Sequence, residues 1–320
     1  MSVEIVGERC VGCETCSHVC NQNAIKMMPD SRGFLYPVID REACNQCNAC
    51  SNHCPVLNEN TGGGCKPYEE KVYAAWSKDR DLLQRSSSGG MFFEIAASIL
   101  GDGGLVCGAV YREDYYGVRH IVADILDDVR RMQGSKYSQS AMEDCFPKLR
   151  EALEAGRRVL FSGTPCQVAA CYRFLRKKYD NFYTVSLICH GPIAPKILEE
   201  YIKSLEKKHQ ASICNFTMRY KKDGKTLPLY YRAEFSDGTT EINPFYSSLY
   251  GEIFASNLVM RQSCYECQFK QQPYVGDIII GDFKGIEYTK LPHNRKGSSA
   301  VIINSDKGRK LWESLSDRIE

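Results

Sequence analysis

Two stretches of this chain repeat one spacing of cysteines. Residues 10–20 read C-VG-C-ET-C-SHV-C and residues 44–54 read C-NQ-C-NA-C-SNH-C, each cysteine of the first preceding its counterpart by 34 residues (44 − 10 = 34). Eight of the seventeen cysteines fall in these two quartets. A loop with cysteines three apart wraps three corners of one cubane, and the fourth, a helical turn on, points away toward another cluster. The spacing therefore predicts two 4Fe–4S clusters. Cys10, Cys13, Cys16 and Cys54 hold one, and Cys44, Cys47, Cys50 and Cys20 hold the other. Two zinc sites would also use eight thiolates, but zinc motifs rarely show a triplet at x2 spacing followed by x3.

Residues 1–58 resemble two-cluster bacterial ferredoxins, which implies an α+β ferredoxin-like two-cluster module. Only Cys54 is followed by that family's proline; Asn21 follows Cys20, which alters a turn and not the ligand count. A chain of 320 residues leaves room for one sizeable globular domain beyond this module. Formal charge is 41 − 39 = +2 with no basic block, so neither nucleic acid nor an anionic membrane surface is an expected partner. The start, MSVEIVGERC, lacks the basic and apolar regions of a signal peptide. The richest apolar run, Met91 to Leu100, is short and interrupted by Glu94, so no membrane span is predicted. A cytoplasmic protein is expected, and a reducing compartment favours thiolate ligation over disulfides.

Residues 59–70 read as a linker, inside the Gly- and Asn-rich stretch LNENTGGGCKPYEE that carries the unpartnered Cys65. Residues 71–320 alternate strand-like and helix-like runs, which predicts an α/β domain with a mixed, locally antiparallel sheet. Strands are expected at Lys71–Trp76, Leu105–Tyr111, Arg119–Ile125, Arg158–Phe161, Phe182–Ile188, Asp277–Gly281 and Ala300–Ile303. Helices are expected through Met91–Leu100, Ala141–Ala155, Cys166–Lys178, Ala194–Lys208 and Ser247–Val259. A hairpin is expected over Ile213–Glu241, turning at Asp223–Gly224. The final LWESLSDRIE reads as part of an amphipathic helix.

Three Gly- and Ser-rich punctuations fall where helices begin: SSSGG (Ser87, Ser88, Gly89 and Gly90 within it), GSKY (Gly134, Ser135, Lys136, Tyr137) and SGTPCQ (Gly163, Thr164, Pro165, Gln167). Helix N-termini present unpaired N–H groups that can hold a phosphate or the anionic edge of a flavin. Lys136 would add a charge and Tyr137 a ring to stack. Singly, each punctuation is more often a plain N-cap. No G-x-G-x-x-G fingerprint occurs, so an ordinary Rossmann site is not supported.

Taken in order, SSSGG, GSKY, SGTPCQ, ICHGP, RQSCYEC and GDIIIGDF resemble the family of coenzyme F420 hydrogenase and dehydrogenase beta subunits across residues 70–305. Relatives of that family include the 7-hydroxymethyl chlorophyll a reductases and the F420H2-oxidising half of F420-dependent sulfite reductases. The resemblance implies FAD in the α/β domain and a third 4Fe–4S cluster close to it, on Cys166, Cys189, Cys264 and Cys267. Cys166 and Cys189 follow two successive predicted strands, where ligands gather in open α/β sheets, and Cys264-x2-Cys267 is a compact clip. A zinc knuckle, or an isolated CxxC pair beside two buried thiols, is the plainer reading. His190 is the candidate proton donor, with a hydrogen-bonding role beside a metal ligand as its alternative. Arg261, Arg219 and Lys284 are candidate clamps for an acidic substrate, with surface charge the plainer alternative and the preferred one for Lys284, and Cys107, Cys145, Cys171 and Cys214 read as small buried side chains.

Flavin exchanges hydride or single electrons and each cluster passes one electron, so the expected activity is an FAD- and iron–sulfur-dependent oxidoreductase. The hydride carrier at FAD is coenzyme F420 in one reading. In a second, reduced ferredoxin drives reduction of an organic substrate, as in the chlorophyll-directed relatives. In a third, the chain is a non-catalytic electron-transfer subunit. All three call for a redox protein partner or a larger redox complex. Members of the resembling family usually continue further, which implies a shortened C-terminal end.

Overall fold

The 34-residue repeat is visible in the backbone as well as in the cysteines. The computed structural model describes residues 2–58 and 71–320, so the expected linker with Cys65 lies outside the described residues. Gly12 and Glu14 of the first loop have φ of 63° each, and their repeat partners Gln46 and Asn48 have φ of 57° and 61°. Alternate left-handed residues curl each loop around a centre before short helices α1 (Thr15–His18) and α2 (Ala49–His53) begin. Between them runs an antiparallel hairpin, β1 (Ile25–Pro29) with β2 (Leu35–Ile39), registered from Ile25↔Ile39 to Pro29↔Leu35.

The larger domain holds an eight-stranded mixed sheet. Its strands are β3 (Lys71–Ala75), β4 (Leu105–Tyr111), β5 (Val118–Ala123), β6 (Ser140–Ala141), β7 (Val159–Gly163), β8 (Phe182–Leu187), β12 (Ile278–Asp282) and β13 (Ser299–Ile303). Their order is β3-β13-β12-β8-β7-β4-β5-β6, with β12, β8, β7 and β4 parallel to one another. A second, antiparallel sheet of three strands is made by β9 (Ile213–Tyr220), β10 (Tyr230–Phe235) and β11 (Thr240–Pro244). The helices are α3 (Arg80–Arg85), α4 (Met91–Gly101), α5 (Leu126–Met132), α6 (Cys145–Glu154), α7 (Pro165–Leu175), α8 (Pro195–His209), α9 (Leu249–Ser256), α10 (Gln262–Tyr265) and α11 (Asp306–Glu313).

Every residue of β7 is buried, as a parallel strand covered on both faces must be. Leu160 faces one apolar cluster with Ile95, Val185 and Val301, while Val159 and Phe161 face another with Phe146, Val168 and Phe174. This second cluster runs without a break into Val3, Val6, Cys13, Cys16 and Val56 of the N-terminal module. The module therefore shares a core with α6 and α7 instead of hanging from a tether.

Differences from expectation have local causes. The charged segment Leu126–Met132 is a helix that was not expected, because only Val129 and Met132 are buried, a stripe too thin to read. The expected hairpin is a three-stranded meander, because a second turn after Phe235 returns the chain as β11. The last helix ends at Glu313, and Glu320 exchanges both backbone hydrogen bonds with Trp76 at 2.9 Å. Among the described residues no helix is long and apolar enough to cross a membrane.

Candidate functional site

Cys10, Cys13, Cys16 and Cys54 line one pocket, whose other walls include Val3, Val6, Val11, Met27, Pro37 and Val56. Four sulfurs in an apolar shell are the donor set of a cubane, so the residues fit a 4Fe–4S cluster. Burial among neighbouring sulfurs drives the Cys13 and Cys16 thiols well above their ordinary range and raises that of Cys54. That penalty on bare thiolates is the one a bound metal offsets. The Gly12 N–H points to Cys10 Sγ at 3.4 Å, and the Ala24 N–H to Cys20 Sγ at 3.3 Å. The partner set is more open: Cys20, Cys44 and Cys50 are half-buried and Cys47 is exposed. Every described cysteine is a free thiol. Among the described residues no three His, Cys, Asp or Glu groups converge on a single-ion site, which is a tighter geometry than a cubane requires.

A second convergence lies at the C-terminal edge of the parallel strands. Cys166 sits in the first turn of α7, Cys189 just past β8, Cys264 in α10 and Cys267 beyond it. The charge of each of Cys166, Cys264 and Cys267 raises the thiol of Cys189, and burial raises it more. Burial likewise lifts Cys166 to about 11 and Cys264 to about 12. The structure thus gathers four thiols that lie far apart in sequence. Backbone pairing brings their loops together: Ser138 bridges Ile193, and Ile193 bridges Met260. The Ile193 N–H donates to Tyr137 O at 3.2 Å and the Ala194 N–H to Val259 O at 3.0 Å. Gly191 has φ of +131°, and a Cβ there would stand 2.7 Å from Met260 Sδ, so the loop needs glycine to approach the Cys264 clip.

The Cys10 loop docks on the segment that leads into the Cys264 clip. Arg261 donates from Nε to Cys10 O at 2.5 Å, from one terminal nitrogen to Leu35 O at 2.8 Å, and from the other to Gln139 Oε1 at 3.0 Å. Gln139 Nε2 in turn donates to Val11 O at 3.0 Å and Gly12 O at 3.3 Å. The Glu14 carboxylate accepts from the Met142 N–H at 2.7 Å. Arg261 was a candidate substrate clamp; at 1 % exposure it is a seat for the Cys10 loop instead. Arg219 is also committed, to Asp282 at 2.8 Å and the Tyr137 hydroxyl at 3.1 Å, whereas Lys284 lies on the surface.

The expected flavin motifs partly converge and partly serve the fold. Ser135 donates to Ser87 Oγ from its N–H at 2.8 Å and its hydroxyl at 3.0 Å, joining GSKY to SSSGG. Ser88 donates to Ser298 O at 2.8 Å, and the Gly89 N–H donates to Ser299 Oγ at 2.9 Å. Gly90 is the left-handed N-cap of α4, and Gly134 has open space where a Cβ would stand. Lys136 differs from its expected role: its ammonium is spent on the carbonyls of Met132, Gln133 and Gly134, closing the C-terminus of α5. Its pKa is lowered to about 7, first by burial. Thr164 and Gln167 form a capping box on α7, with Pro165 at its start and Gly163 ending β7; Gln167 also donates to Ser140 Oγ at 2.9 Å. The Tyr137 ring lies against Phe254 at 4.3 Å. His190 is exposed, hydrogen-bonded through Nε2 to Asn257 Oδ1 at 2.5 Å.

Sequence reasoning missed Glu14, Gln139, His120 and Asp282. His120 is 2 % exposed, stacks on Phe161 at 5.6 Å, and meets Ser162 O at 3.1 Å through Nε2. Its Nδ1 and the Ser138 hydroxyl are buried without a partner. Asp282 stood in the GDIIIGDF motif, so the motif itself was its signal.

Comparison with known proteins agrees with this architecture. A family described as a 4Fe–4S dicluster domain matches residues 9–58. The families described as coenzyme F420 hydrogenase/dehydrogenase, beta subunit, match with their N-terminal part at 72–146 and their C-terminal part at 156–320. One subunit of the F(420)H(2) dehydrogenase of Methanosarcina mazei is 26 % identical over 212 residues, 61 % of this chain and 58 % of that protein. The ferredoxin-type protein NapF of Haemophilus influenzae is 39 % identical over 46 residues, 14 % of this chain and 26 % of that protein. The chain thus spans less than two thirds of either relative. A solved chain of the F420-reducing [NiFe] hydrogenase complex from Methanosarcina barkeri shares the fold, with TM-score 0.52 and 17 % identity over 78 % of this chain and 80 % of that one. With both halves matched behind a dicluster domain, the chain belongs to the family of coenzyme F420 hydrogenase/dehydrogenase beta subunits.

Proposed function

We propose that this chain is an F420-linked oxidoreductase that converts between a two-electron hydride carrier and one-electron protein partners. The observation that carries the reading is the gathering of Cys166, Cys189, Cys264 and Cys267 directly behind the docked Cys10 loop. When bound, FAD supplies hydride exchange and 4Fe–4S clusters supply single-electron transfer. Ser87, Ser88, Gly89, Gly90, Gly134 and Ser135 form the cradle for the flavin, with Gly163 and Thr164 at its far edge. The Cys166 set fits a third cluster beside it. The two N-terminal sets then lead outward, the buried set first and the set with exposed Cys47 last, where a redox partner docks. His190, exposed and held through Nε2 at Asn257 Oδ1, is the candidate proton donor at this edge. Coenzyme F420 is the preferred hydride carrier because a subunit of an F(420)H(2) dehydrogenase is among the relatives.

Anaerobic purification with iron, sulfide and flavin analysis, followed by an F420H2 oxidation assay, tests the reading. The expected result is about twelve iron atoms and one FAD per chain, with flavin bleaching on F420H2 addition. Bound FAD that ignores F420H2 sinks the choice of carrier and favours an organic substrate driven by reduced ferredoxin. Iron near eight per chain sinks the third cluster.

A further inference from the structure

Arg261 is 1 % exposed, yet every hydrogen-bond acceptor around its guanidinium is neutral: Cys10 O, Leu35 O and Gln139 Oε1. Among the described residues no carboxylate forms an ion pair with it. The face of the Tyr36 ring, 4.1 Å from the guanidinium carbon, adds only a partial negative charge. A buried cation without an anion is costly, and native structures keep such groups where a compensating charge stands. The backbone that Arg261 holds belongs to loops that carry candidate cluster ligands. Arg261 caps α10, the helix that carries Cys264, and its own carbonyl accepts the Cys264 N–H at 2.9 Å. On its other side it holds the carbonyl of Cys10, and a Cβ built on Gly12 would stand 2.7 Å from its terminal nitrogen.

We propose that Arg261 is the counter-ion shared by the Cys10 thiolate set and the Cys166 thiolate set, and the positioning residue that fixes their separation. The inference rests on the reading above that both sets hold clusters. Each set is anionic when loaded, so one guanidinium stabilises the extra negative charge whichever set is reduced. An electron lost by one set is gained by the other, with no bond made and no proton moved. The planar fork holds the Cys10–Gly12 backbone against α10, a geometry that a lysine cannot copy.

The test uses the full-length, cluster-loaded protein and its R261Q and R261K variants. Iron and sulfide content of the wild type reports on the underlying reading by itself: about eight iron atoms overturns that reading before Arg261 is touched. With about twelve present, potentiometric EPR titration measures both sets. In R261Q both are expected to become harder to reduce, with at least a tenfold shift in the oxidised-to-reduced ratio at fixed potential, or about 59 mV for one electron. In R261K the charge remains and the shift is smaller, but amide exchange at Gly12 and Cys13 speeds up at least about tenfold as the seat loosens. Unchanged potentials in R261Q overturn the proposal, as does a shift confined to one set. If R261Q loses its clusters, R261K decides: unchanged exchange at Gly12 overturns the positioning role.

Discussion

Replacing Cys20 and Cys54 one at a time distinguishes crossed ligation from two self-contained quartets. Cys13, Cys16 and Cys54 are 8 %, 7 % and 6 % exposed, whereas Cys47 is open to solvent. A ferrous chelator offered to the oxidised protein should therefore strip the outer set first and the inner sets slowly. With three four-iron sets, the fast phase carries about a third of roughly twelve iron atoms. Cys20→Ala should abolish that phase and leave about two thirds of the iron, all released slowly. Cys54→Ala should keep the fast amplitude and take its loss from the slow phase. Stopped-flow absorbance of the chelate, with iron per chain measured on the same samples, reads both amplitudes. The reverse pattern, with Cys54→Ala removing the fast phase and Cys20→Ala sparing it, would refute crossed ligation and give each helical cysteine to its own quartet.

Three further outcomes follow from packing and burial. Gly12→Ala places a Cβ 2.5 Å from Gln139 Nε2 at φ +63°, which should cost about 1–2 kcal/mol and hasten iron release from the inner set; release at the wild-type rate contradicts the docking described. Gly89→Ala brings a Cβ to 2.2 Å from Ala75 O, where neither backbone can yield. Overpacking of about 1–3 kcal/mol should lower the melting temperature and weaken flavin retention together, and a variant that melts and binds like wild type refutes that account of the cradle. Burial lowers the His120 pKa to about 4 from an ordinary 6.5, so the unfolded chain binds more protons between those values. Stability should be full above pH 6.5 and fall toward pH 4, by at most about 3.4 kcal/mol at about 1.36 kcal/mol per unit; His120→Phe should flatten the pH dependence of thermal unfolding there, and equal slopes count against a neutral buried ring.

What could be read from the sequence was what is encoded locally. The cluster loops were legible because cysteine spacing, left-handed turns and short helices all lie within eleven residues of each other (20 − 10 + 1 = 11). Strand Leu105–Tyr111 was legible to its ends because burial there is nearly continuous. The four thiols of the second convergence span residues 166 to 267, so spacing alone could not join them and the order of motifs did. Lys136 was read as a ligand's charge because a lysine after Gly-Ser carries no mark of the helix end it closes. Arg261 was read as a clamp because its true acceptors are mostly backbone carbonyls, which leave no trace in side-chain patterns.

The seam that ties Ser138 to Ile193 and Ile193 to Met260 is made by main-chain groups, so it is indifferent to the identity of those residues beyond their fit. What it cannot absorb is a change in count. One residue inserted between Ile193 and Met260, inside the bridged stretches, would carry Cys264 and Cys267 past Cys189 while leaving every thiol in the chain. Diversification of this site should therefore proceed by exchanging letters along the seam, and additions of length should be tolerated only in the loops that lie between its bridges.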